Sequence, residues 1–335
     1  MKPQSLLHPR PEGLYCPVGD FYIDPVRPVA RALITHGHAD HARAGHGAVW
    51  ATQETLDIMA IRYGAEFAQT TQAAGRETTD VGGVEVTFYP AGHVLGSAQI
   101  AVRAGGLTIV AAGDYKRGSD PTCADFEPVP CDVFITEATF GLPVFRHPPP
   151  DQEILRLLTS CRQFPERTHV VGAYALGKAQ RVIRLIRDAG YDAPIYLHGA
   201  LESLCDYYRS RGVDLGDLRS ATARDRTKQD YAGQIVLGPP SAFGTPWIRR
   251  FNDPLIAFAS GWMQVRARIR QRGVELPLVI SDHCDWQELT DTLKELAPAE
   301  TWVTHGREEA LVRWCALNQM EARPLHLVGY EDEAE

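Results

Sequence analysis

The sequence lacks any long hydrophobic run. Its 335 residues are 44% hydrophobic and 23% charged, yet no apolar stretch approaches the roughly 20 residues that a membrane-spanning helix needs. The amino-terminal segment carries Pro3, Pro9 and Pro11 but no apolar core, so we expect no signal peptide. These features predict a protein that has no membrane partner and resides in the cytoplasm. The apolar content is sufficient for one large domain or two smaller ones.

Closely spaced cysteine pairs are also missing. The seven cysteines form no CxxC pair, and their number is odd. Small secreted proteins that depend on disulfides usually carry an even number of cysteines in a regular framework. We therefore expect reduced thiols, in keeping with a cytosolic protein.

An excess of basic residues is missing from the chain as a whole, but not from one part of it. The net charge of −8 comes from 34 Lys and Arg against 42 Asp and Glu, and taken alone it argues against a nucleic-acid-binding protein. Residues 146–273, however, contain 20 Lys and Arg and 12 Asp and Glu, which gives 20 − 12 = +8. The remaining residues contain 14 and 30, which gives 14 − 30 = −16. A basic segment is thus inserted into an acidic chain, and this asymmetry is typical of a nucleic-acid partner.

Hydrophobic periodicity predicts strands that alternate with helices, which indicates an α/β fold. We expect strands at 84–88, 99–102, 107–112, 133–135, 169–172, 195–197, 235–237, 278–280 and 301–304. We expect helices at 52–63, 152–161, 177–189, 286–296 and 308–317. The run Pro148-Pro149-Pro150 marks a boundary near the start of the basic segment.

The motif Thr35-His36-Gly37-His38-Ala39-Asp40-His41 is the strongest signal in the chain. Residues two apart in extended backbone point to the same side, so His36 and His38 can face one point. Asp40 and His41 then turn towards a second point nearby. Neutral imidazoles and carboxylates are ligands that suit Zn²⁺ or Mn²⁺. The motif therefore predicts a metal site, with a solvated polar loop as the alternative.

Further polar residues lie where predicted strands end, which is where α/β layers place their functional sites. They are His93, Asp114, His283 and His305. A lone histidine is more often a hydrogen-bonded structural residue. Because these residues share one context and accompany the histidine motif, we interpret them as parts of the same site.

The histidine motif, followed in order by His93 and Asp114, resembles the metal-binding motifs of the metallo-β-lactamase superfamily. Asp24, at the end of a strand before the histidine motif, resembles that fold's first motif, an aspartate that supports the metal ligands. The resemblance covers nearly the whole chain. It implies an α/β fold of the metallo-β-lactamase type, an αββα sandwich.

Three later residues resemble motifs of one branch of that superfamily, the β-CASP nucleases. Glu137 resembles motif A, His283 motif B, and His305 followed by glycine motif C. In this branch an extra domain is inserted before the final metal ligand. The resemblance therefore implies a sandwich domain of residues 1–145 and 274–335, with a compact α/β β-CASP domain inserted at 146–273.

The short chain resembles the bacterial putative exonucleases associated with an ATP-dependent DNA ligase, since it has no room for an accessory domain. This resemblance implies a single-strand DNA exonuclease in DNA repair, with a DNA ligase and a helicase as candidate partners. RNA-processing members of the family generally have histidine at motif C, whereas DNA-repair members generally have an aliphatic residue. Because this chain has His305, an RNA-processing ribonuclease is the alternative.

The resemblance also implies a binuclear centre that holds two divalent ions, Zn²⁺ or Mn²⁺. One ion would be held by His36, His38 and His93. The other would be held by Asp40, His41 and His305, with Asp114 bridging the two. Two such ions can share a hydroxide that attacks the phosphodiester, and they stabilise the charge that develops on it.

Three residues are candidates for a direct part in catalysis. His283 is the candidate general acid that protonates the leaving oxygen, and Glu137 would orient its ring. The alternative for His283 is a supporting role behind a metal ligand. Asp40 is the third, through its place at the second ion.

The basic segment offers groups of cations that could contact phosphates without reading sequence. The candidates are Arg209, Arg211, Arg224, Arg226 and Lys228, then Arg249 and Arg250, then Arg266, Arg268, Arg270 and Arg272. The last group is spaced by two, so it would follow one face of a strand or wrap around a helix. A solvated charged face is the alternative for each group.

Two other functions remain open from the sequence. A small-molecule hydrolase on the same fold would explain the metal ligands, but it would leave Glu137, His283 and the basic segment without a role. A scaffold that has lost catalysis is the other alternative, although every candidate ligand position is filled.

Overall fold

The computed structural model describes residues 1–222 and 227–327, and these fold as two compact units. The first unit comprises Met1–Arg146 and the chain from His283 onwards, and the second comprises His147–Asp282. The second unit ends later than residue 273, where the sequence placed the end of the inserted domain. It does so because the strand Leu276–Leu278 pairs in parallel with residues 257–259 of that unit's sheet.

The elements are numbered in chain order. The strands are β1 (His8–Arg10), β2 (Gly13–Cys16), β3 (Phe21–Ile23), β4 (Arg31–Leu33), β5 (His46–Ala51), β6 (Ala68–Ala73), β7 (Thr79–Asp80), β8 (Glu85–Pro90), β9 (Ala98–Ala104), β10 (Leu107–Ala111), β11 (Val133–Ala138), β12 (His169–Gly172), β13 (Ile195–Leu197), β14 (Leu218–Ser220), β15 (Ile235–Gly238), β16 (Leu255–Ala259), β17 (Leu276–Leu278), β18 (Glu300–Gly306) and β19 (Ala322–Pro324). The helices are α1 (Pro3–Leu6), α2 (Gln53–Tyr63), α3 (Pro150–Gln163), α4 (Lys178–Asp188), α5 (Gly199–Ser210), α6 (Arg266–Gln271), α7 (Trp286–Leu296) and α8 (Glu308–Leu317).

The first unit contains two sheets that pack face to face. One sheet has the order β1-β2-β3-β4-β5-β6, and the other β19-β18-β11-β10-β9-β8-β7. Successive side chains of a strand point to opposite faces, so Val133 and Ile135 of β11 pack between the sheets while Phe134 packs on the outer face. The shared inner core also contains Leu33 from the first sheet and Ile109 from the second.

Helices cover the two outer faces of this sandwich. Leu56 and Met59 of α2 pack on the outer face of the first sheet. Leu289 of α7 and Leu311 of α8 pack on the outer face of the second. The resulting layer order is helix, sheet, sheet, helix, and it confirms the αββα sandwich implied by the resemblance.

The second unit is built on a parallel sheet with the order β14-β13-β15-β12-β16-β17. Its strands read as short continuous apolar runs, such as Ile235–Gly238, because parallel strands are usually buried on both faces. Helices α3 to α6 belong to the same unit. A compact α/β architecture is therefore present in the inserted part of the chain.

The strand expected at 278–280 is wrong by two residues. The observed strand β17 ends at Leu278, because the next backbone groups bond elsewhere. The N–H of Val279 donates to a carboxylate oxygen of Glu153 at 2.8 Å, and the N–H of Ile280 donates to the carbonyl of Leu278.

Among residues 1–222 and 227–327, the helices are all too short or too polar to cross a bilayer.

Candidate metal centre

The candidate ligands lie at strand ends of the first unit, within both of its sheets. The histidine motif follows β4, His93 follows β8, and Asp114 follows β10. His305 lies in β18 near its end. Residues that are far apart in sequence therefore meet at one edge of the sandwich.

His36, His38, His93 and Asp114 bring ligand atoms within 4.8 Å of one another. The Nδ1 atom of His38 lies 3.1 Å from Nε2 of His36 and 3.0 Å from Nε2 of His93. The Nε2 atom of His36 lies 3.5 Å from Oδ2 of Asp114. Ring nitrogens and a carboxylate that converge in this way match the donors that Zn²⁺ accepts.

A second group contains His41, Asp114 and His305, whose ligand atoms also lie within 4.8 Å of one another. The Nε2 atom of His41 lies 3.4 Å from Oδ2 of Asp114 and 3.5 Å from Oδ2 of Asp40. The Nδ1 atom of His305 lies 3.9 Å from Oδ1 of Asp114. Asp114 is thus shared by the two groups, as a bridging ligand would be.

The Asp40 carboxylate gives an independent test of whether a cation fits this second group. Its Oδ1 atom is buried and has no hydrogen-bond donor among the described residues. A buried carboxylate oxygen without a partner is costly. A divalent cation at this position would satisfy it, so the residues present fit a metal ion.

Two of these histidines are in the neutral form that binds metal ions. Burial lowers the pKa of His36 well below its usual value and lowers the pKa of His305 to about 4. Both rings are therefore neutral near pH 7, which is the form that coordinates metals. His41 differs: burial alone would lower its pKa, but the carboxylates of Asp114 and Asp40 raise the pKa well above the usual value. A cation at the site would compete with that proton.

Asp24 lies behind the candidate ligands and bonds to one of them, His41, and to Thr35, which precedes the motif's first histidine. Its Oδ2 atom lies 2.8 Å from Nδ1 of His41, and it also accepts the Thr35 hydroxyl at 2.6 Å. The Thr35 N–H donates to Oδ1 of Asp24 at 2.7 Å. The carboxylate therefore holds the ring of His41 and the start of the histidine motif in place.

His305 is held in an unusual backbone conformation. The register between β11 and β18 shifts there, because Thr304 pairs with Glu137 while Gly306 pairs with Ala138. His305 is the extra residue of this bulge, and its φ is 57°, in the left-handed region. Such strain is often found at functional sites. Here it places the ring beside Asp114.

His283 and Glu137 form a buried pair beside the converging ligands. The Nδ1 atom of His283 lies 3.0 Å from Oε2 of Glu137, and the ring centroids of His283 and His93 are 4.7 Å apart. Burial raises the pKa of Glu137, while the nearby His283 opposes that shift. If Nδ1 carries the proton bound to Glu137, Nε2 is the remaining nitrogen of the ring.

The predicted phosphate contacts lie in the second unit. Arg209, Arg211, Arg249, Arg266 and Arg270 are exposed, and Arg250 and Arg268 are half-buried. The last group wraps around the helix α6 and does not follow a strand face. Arg224 and Arg226 lie outside the described residues.

Sequence reasoning missed two supporting residues of the first unit. Arg62 of α2 donates to the carbonyl of Gly37 at 2.5 Å and so holds the histidine motif. Lys116 contacts Glu288 of α7, with Nζ 2.5 Å from Oε2. The Asp285–Glu288 spacing predicts a capping box for α7, and the structure confirms it. That local signal does not indicate the contact of Glu288 with Lys116.

Comparison with known proteins extends these observations. No family model matches the chain. A probable DNA ligase from Opitutus terrae is 28% identical over 328 residues, which cover 90% of this chain and 30% of the ligase. Subunit 3 of the cleavage and polyadenylation specificity factor from Dictyostelium discoideum is 32% identical over 140 residues, covering 39% of this chain and 18% of that protein. The endoribonuclease YSH1 of Mycosarcoma maydis is 27% identical over 218 residues, covering 52% and 24%.

The chain therefore spans less than a third of the length of these curated relatives. A crystal structure of a protein of unknown function from Enterococcus faecalis V583 has a TM-score of 0.57 and 12% identity, covering 90% of this chain and 80% of that one. It shows the fold alone. The named relatives confirm the resemblance to the metallo-β-lactamase superfamily and its β-CASP branch, a family that implies bound divalent metal ions.

Proposed function

We propose that this chain is a metal-dependent phosphodiesterase that acts on nucleic acid. The observation that carries the proposal is the shared position of Asp114 between two groups of converging ligands, with the His283–Glu137 pair beside them. A metal centre alone would suit many hydrolases. The adjacent buried acid–base pair supplies the proton that an alkoxide leaving group needs.

The proposed ligands are the two groups of converging residues together with Asp40, whose Oδ2 atom lies 3.5 Å from Nε2 of His41. His36, His38 and His93 would hold one ion; Asp40, His41 and His305 would hold the other; and Asp114 would contact both. Two divalent ions, Zn²⁺ or Mn²⁺, would supply Lewis-acid stabilisation of the phosphodiester and lower the pKa of the attacking water.

The protein's own groups would carry the remaining steps. Nε2 of His283 would donate a proton to the leaving oxygen while Nδ1 stays bound to Glu137. Glu137 is itself held by the N–H of Tyr115, which donates to Oε1 at 2.8 Å. Asp24 would keep the His41 ring aimed at the centre.

The two compact units would have different roles in the proposed reaction. We assign the first unit to the metallo-β-lactamase domain and the second, His147–Asp282, to the β-CASP domain. The exposed arginines of the second unit would contact substrate phosphates, which gives affinity without sequence preference.

Single-stranded DNA is the favoured substrate, and an exonuclease of DNA repair is the favoured activity. Support comes from the probable DNA ligase, whose match covers 90% of this chain. The matches to the polyadenylation factor subunit and to the YSH1 endoribonucleases cover between 32% and 65% of it. A DNA ligase and a helicase are the proposed partners, and the cytoplasm is the proposed location. An RNA-processing ribonuclease is the second candidate, favoured by His305 at motif C.

The test is a direct assay of cleavage. Single- and double-stranded DNA and RNA, labelled at the 5′ or the 3′ end, are incubated with the metal-free protein and with Zn²⁺ or Mn²⁺ added. We expect stepwise shortening of single-stranded DNA that requires an added ion. Internal cleavage of RNA alone would favour the second candidate, and turnover of a lactam or thioester without any nucleic-acid cleavage would refute both.

A further inference from the structure

The segment that follows Asp114 is bonded to several other parts of the candidate site. The N–H of Lys116 donates to the carbonyl of Ala91 at 3.0 Å, close to His93. The N–H of Tyr115 donates to Glu137 at 2.8 Å. The carbonyl of Tyr115 accepts the N–H of Cys284 at 2.9 Å, immediately after His283. A movement of this segment would therefore change the positions of the candidate metal ligands and of the candidate acid together.

One carboxylate, that of Glu288, joins this segment to the start of α7. Its Oε2 atom accepts from Nζ of Lys116 at 2.5 Å and from the N–H of Asp285 at 3.0 Å. Its Oε1 atom accepts the N–H of Gly118 at 2.8 Å. In return, Asp285 accepts the N–H of Glu288 at 3.0 Å, which completes a capping box.

The ion pair within this arrangement is shielded from water. The side chain of Lys116 is 9% exposed and that of Glu288 is 21% exposed. A shielded pair that also accepts backbone N–H groups has one well-defined geometry, and loss of either partner leaves a poorly compensated charge. Such a pair can fix the relative positions of two segments that are far apart in sequence.

We propose that Lys116 and Glu288 are a positioning pair that fixes the Asp114 segment relative to His283. Lys116 lies two residues after Asp114, and the capping box begins two residues after His283. The inference rests on the proposed function, since it concerns the protonation of the leaving group at the same site. Neither side chain is placed among the metal ligands or in contact with the substrate, so both act through other residues.

The chain offers a matched control for this pair. Arg117, the next residue along, forms an ion pair with Glu295 of the same helix α7 at 2.7 Å. Those side chains are 27% and 46% exposed. The control thus joins the same two segments by a solvent-exposed contact, which usually contributes little.

The experiment compares four variants of the full chain with the wild type. Glu288→Gln removes the negative charge and keeps one acceptor oxygen, so only one of the two backbone N–H groups, that of Gly118 or that of Asp285, retains its hydrogen bond. Lys116→Met leaves the capping box of α7 intact and removes the cation. Lys116→Arg restores the charge, and Glu295→Gln breaks only the control pair. Each variant is measured for metal content, thermal unfolding, and kcat on two substrates.

The two substrates separate positioning of the acid from a general loss of the centre. One is the labelled oligonucleotide that the wild type cleaves, whose leaving alkoxide needs a proton. The other is bis(p-nitrophenyl) phosphate, whose leaving group departs without one. We expect Glu288→Gln and Lys116→Met to lose about ten- to a hundredfold in kcat on the oligonucleotide, with a much smaller loss on the activated diester and unchanged metal content. Lys116→Arg should recover most of the activity, and Glu295→Gln should match the wild type.

Two results would overturn the inference. Equal losses on both substrates would assign the pair a structural role only, and wild-type kcat in both Glu288→Gln and Lys116→Met would show that the pair positions nothing. A wild-type protein that cleaves the activated diester but no nucleic acid would refute the proposed function and not the pair.

Discussion

The candidate functional side chains of the two compact units differ in how deeply they are buried. In the first unit they are buried and bound to one another: His36 and His93 are 0% exposed, and Asp114 is 6% exposed. In the second unit most of the candidate phosphate-binding arginines are exposed. Burying polar groups is costly unless they serve each other or a bound ion. Function in the first unit is therefore tied to fixed geometry, whereas in the second it would depend on the density of charge.

Charge shows the same contrast, although less sharply than the sequence suggested. His147–Asp282 contains 19 Lys and Arg and 14 Asp and Glu, a net of 19 − 14 = +5. The rest of the chain contains 15 and 28, a net of −13. With the observed boundaries the second unit still has a positive net charge and the rest of the chain a negative one. The difference in net charge is smaller because Glu275 and Asp282 belong to the second unit and Arg146 does not.

Loss of the shared carboxylate should have the largest effect on the first unit. Asp114→Asn is expected to reduce cleavage to background and to lower the metal content, since both groups of ligands include this residue. Metal analysis and the oligonucleotide assay measure these effects. Asp217→Asn, at an exposed ion pair of the second unit, is the control and should keep both. Full metal content with normal cleavage in Asp114→Asn would refute a shared ligand.

Removal of the candidate acid should have the next largest effect and should separate chemistry from metal binding. His283→Ala is expected to lower kcat on an oligonucleotide by about 10²–10⁴-fold, with the metal content intact, because its ring bonds to Glu137. Cleavage at the wild-type rate would refute the assignment. A fall in metal content would show instead that His283 supports the centre.

Lys178 and Asp282 form a buried ion pair in the second unit, and breaking it tests whether that unit also depends on fixed geometry. Nζ of Lys178 lies 2.6 Å from Oδ1 of Asp282, with side chains 1% and 6% exposed. Lys178→Met should destabilise the unit by about 3–5 kcal/mol, since it removes the cation from a buried ion pair and leaves the charge of Asp282 poorly compensated. Denaturant unfolding measures this change.

The matched control for that prediction lies on the same helix. Arg184 pairs with Asp188, and their side chains are 29% and 42% exposed. Arg184→Met should cost only about 0.3–0.5 kcal/mol. Equal destabilisation by the two substitutions would remove the contrast between buried and exposed pairs.

The smallest expected effect concerns the exposed arginines. The double variant Arg266→Ala/Arg270→Ala should weaken single-stranded DNA binding modestly and reduce the slope of log affinity against log salt by about 0.7 for each lost phosphate contact. Fluorescence anisotropy over a range of salt concentrations measures the slope. Arg219→Ala, at a cation already paired with Asp217, should change it less. An unchanged slope in the double variant would remove these two residues from the interface.

The sequence predicted the candidate site better than it predicted the surface around it. His36 and Asp114 could be found because α/β layers place functional side chains where apolar strands end, and that context repeats along the chain. The Lys116–Glu288 contact could not be found in the same way, since 172 residues separate the two. Long-range pairs of single charges leave no local pattern.

One error and one open alternative in the fold prediction also show what a short local pattern lacks. The shift of β17 to Leu276–Leu278 depends on the distant carboxylate of Glu153, which takes the N–H of Val279 from the sheet. The arginines spaced by two suited a strand or a helix equally, and only the structure shows the helix α6. Periodicity over a few residues cannot distinguish such cases.

At the bulge of β18, the residue that supplies a candidate ligand, His305, differs from the residues that pair the two strands. The ladder between β11 and β18 uses Thr304 and Gly306 and passes over the residue between them. A one-residue deletion of His305 would therefore allow the two strands to pair continuously, while it removes a candidate ligand and relieves the left-handed backbone. His305 takes no part in the pairing of the two strands, so the sheet and the candidate ligand depend on different residues at this point of the chain.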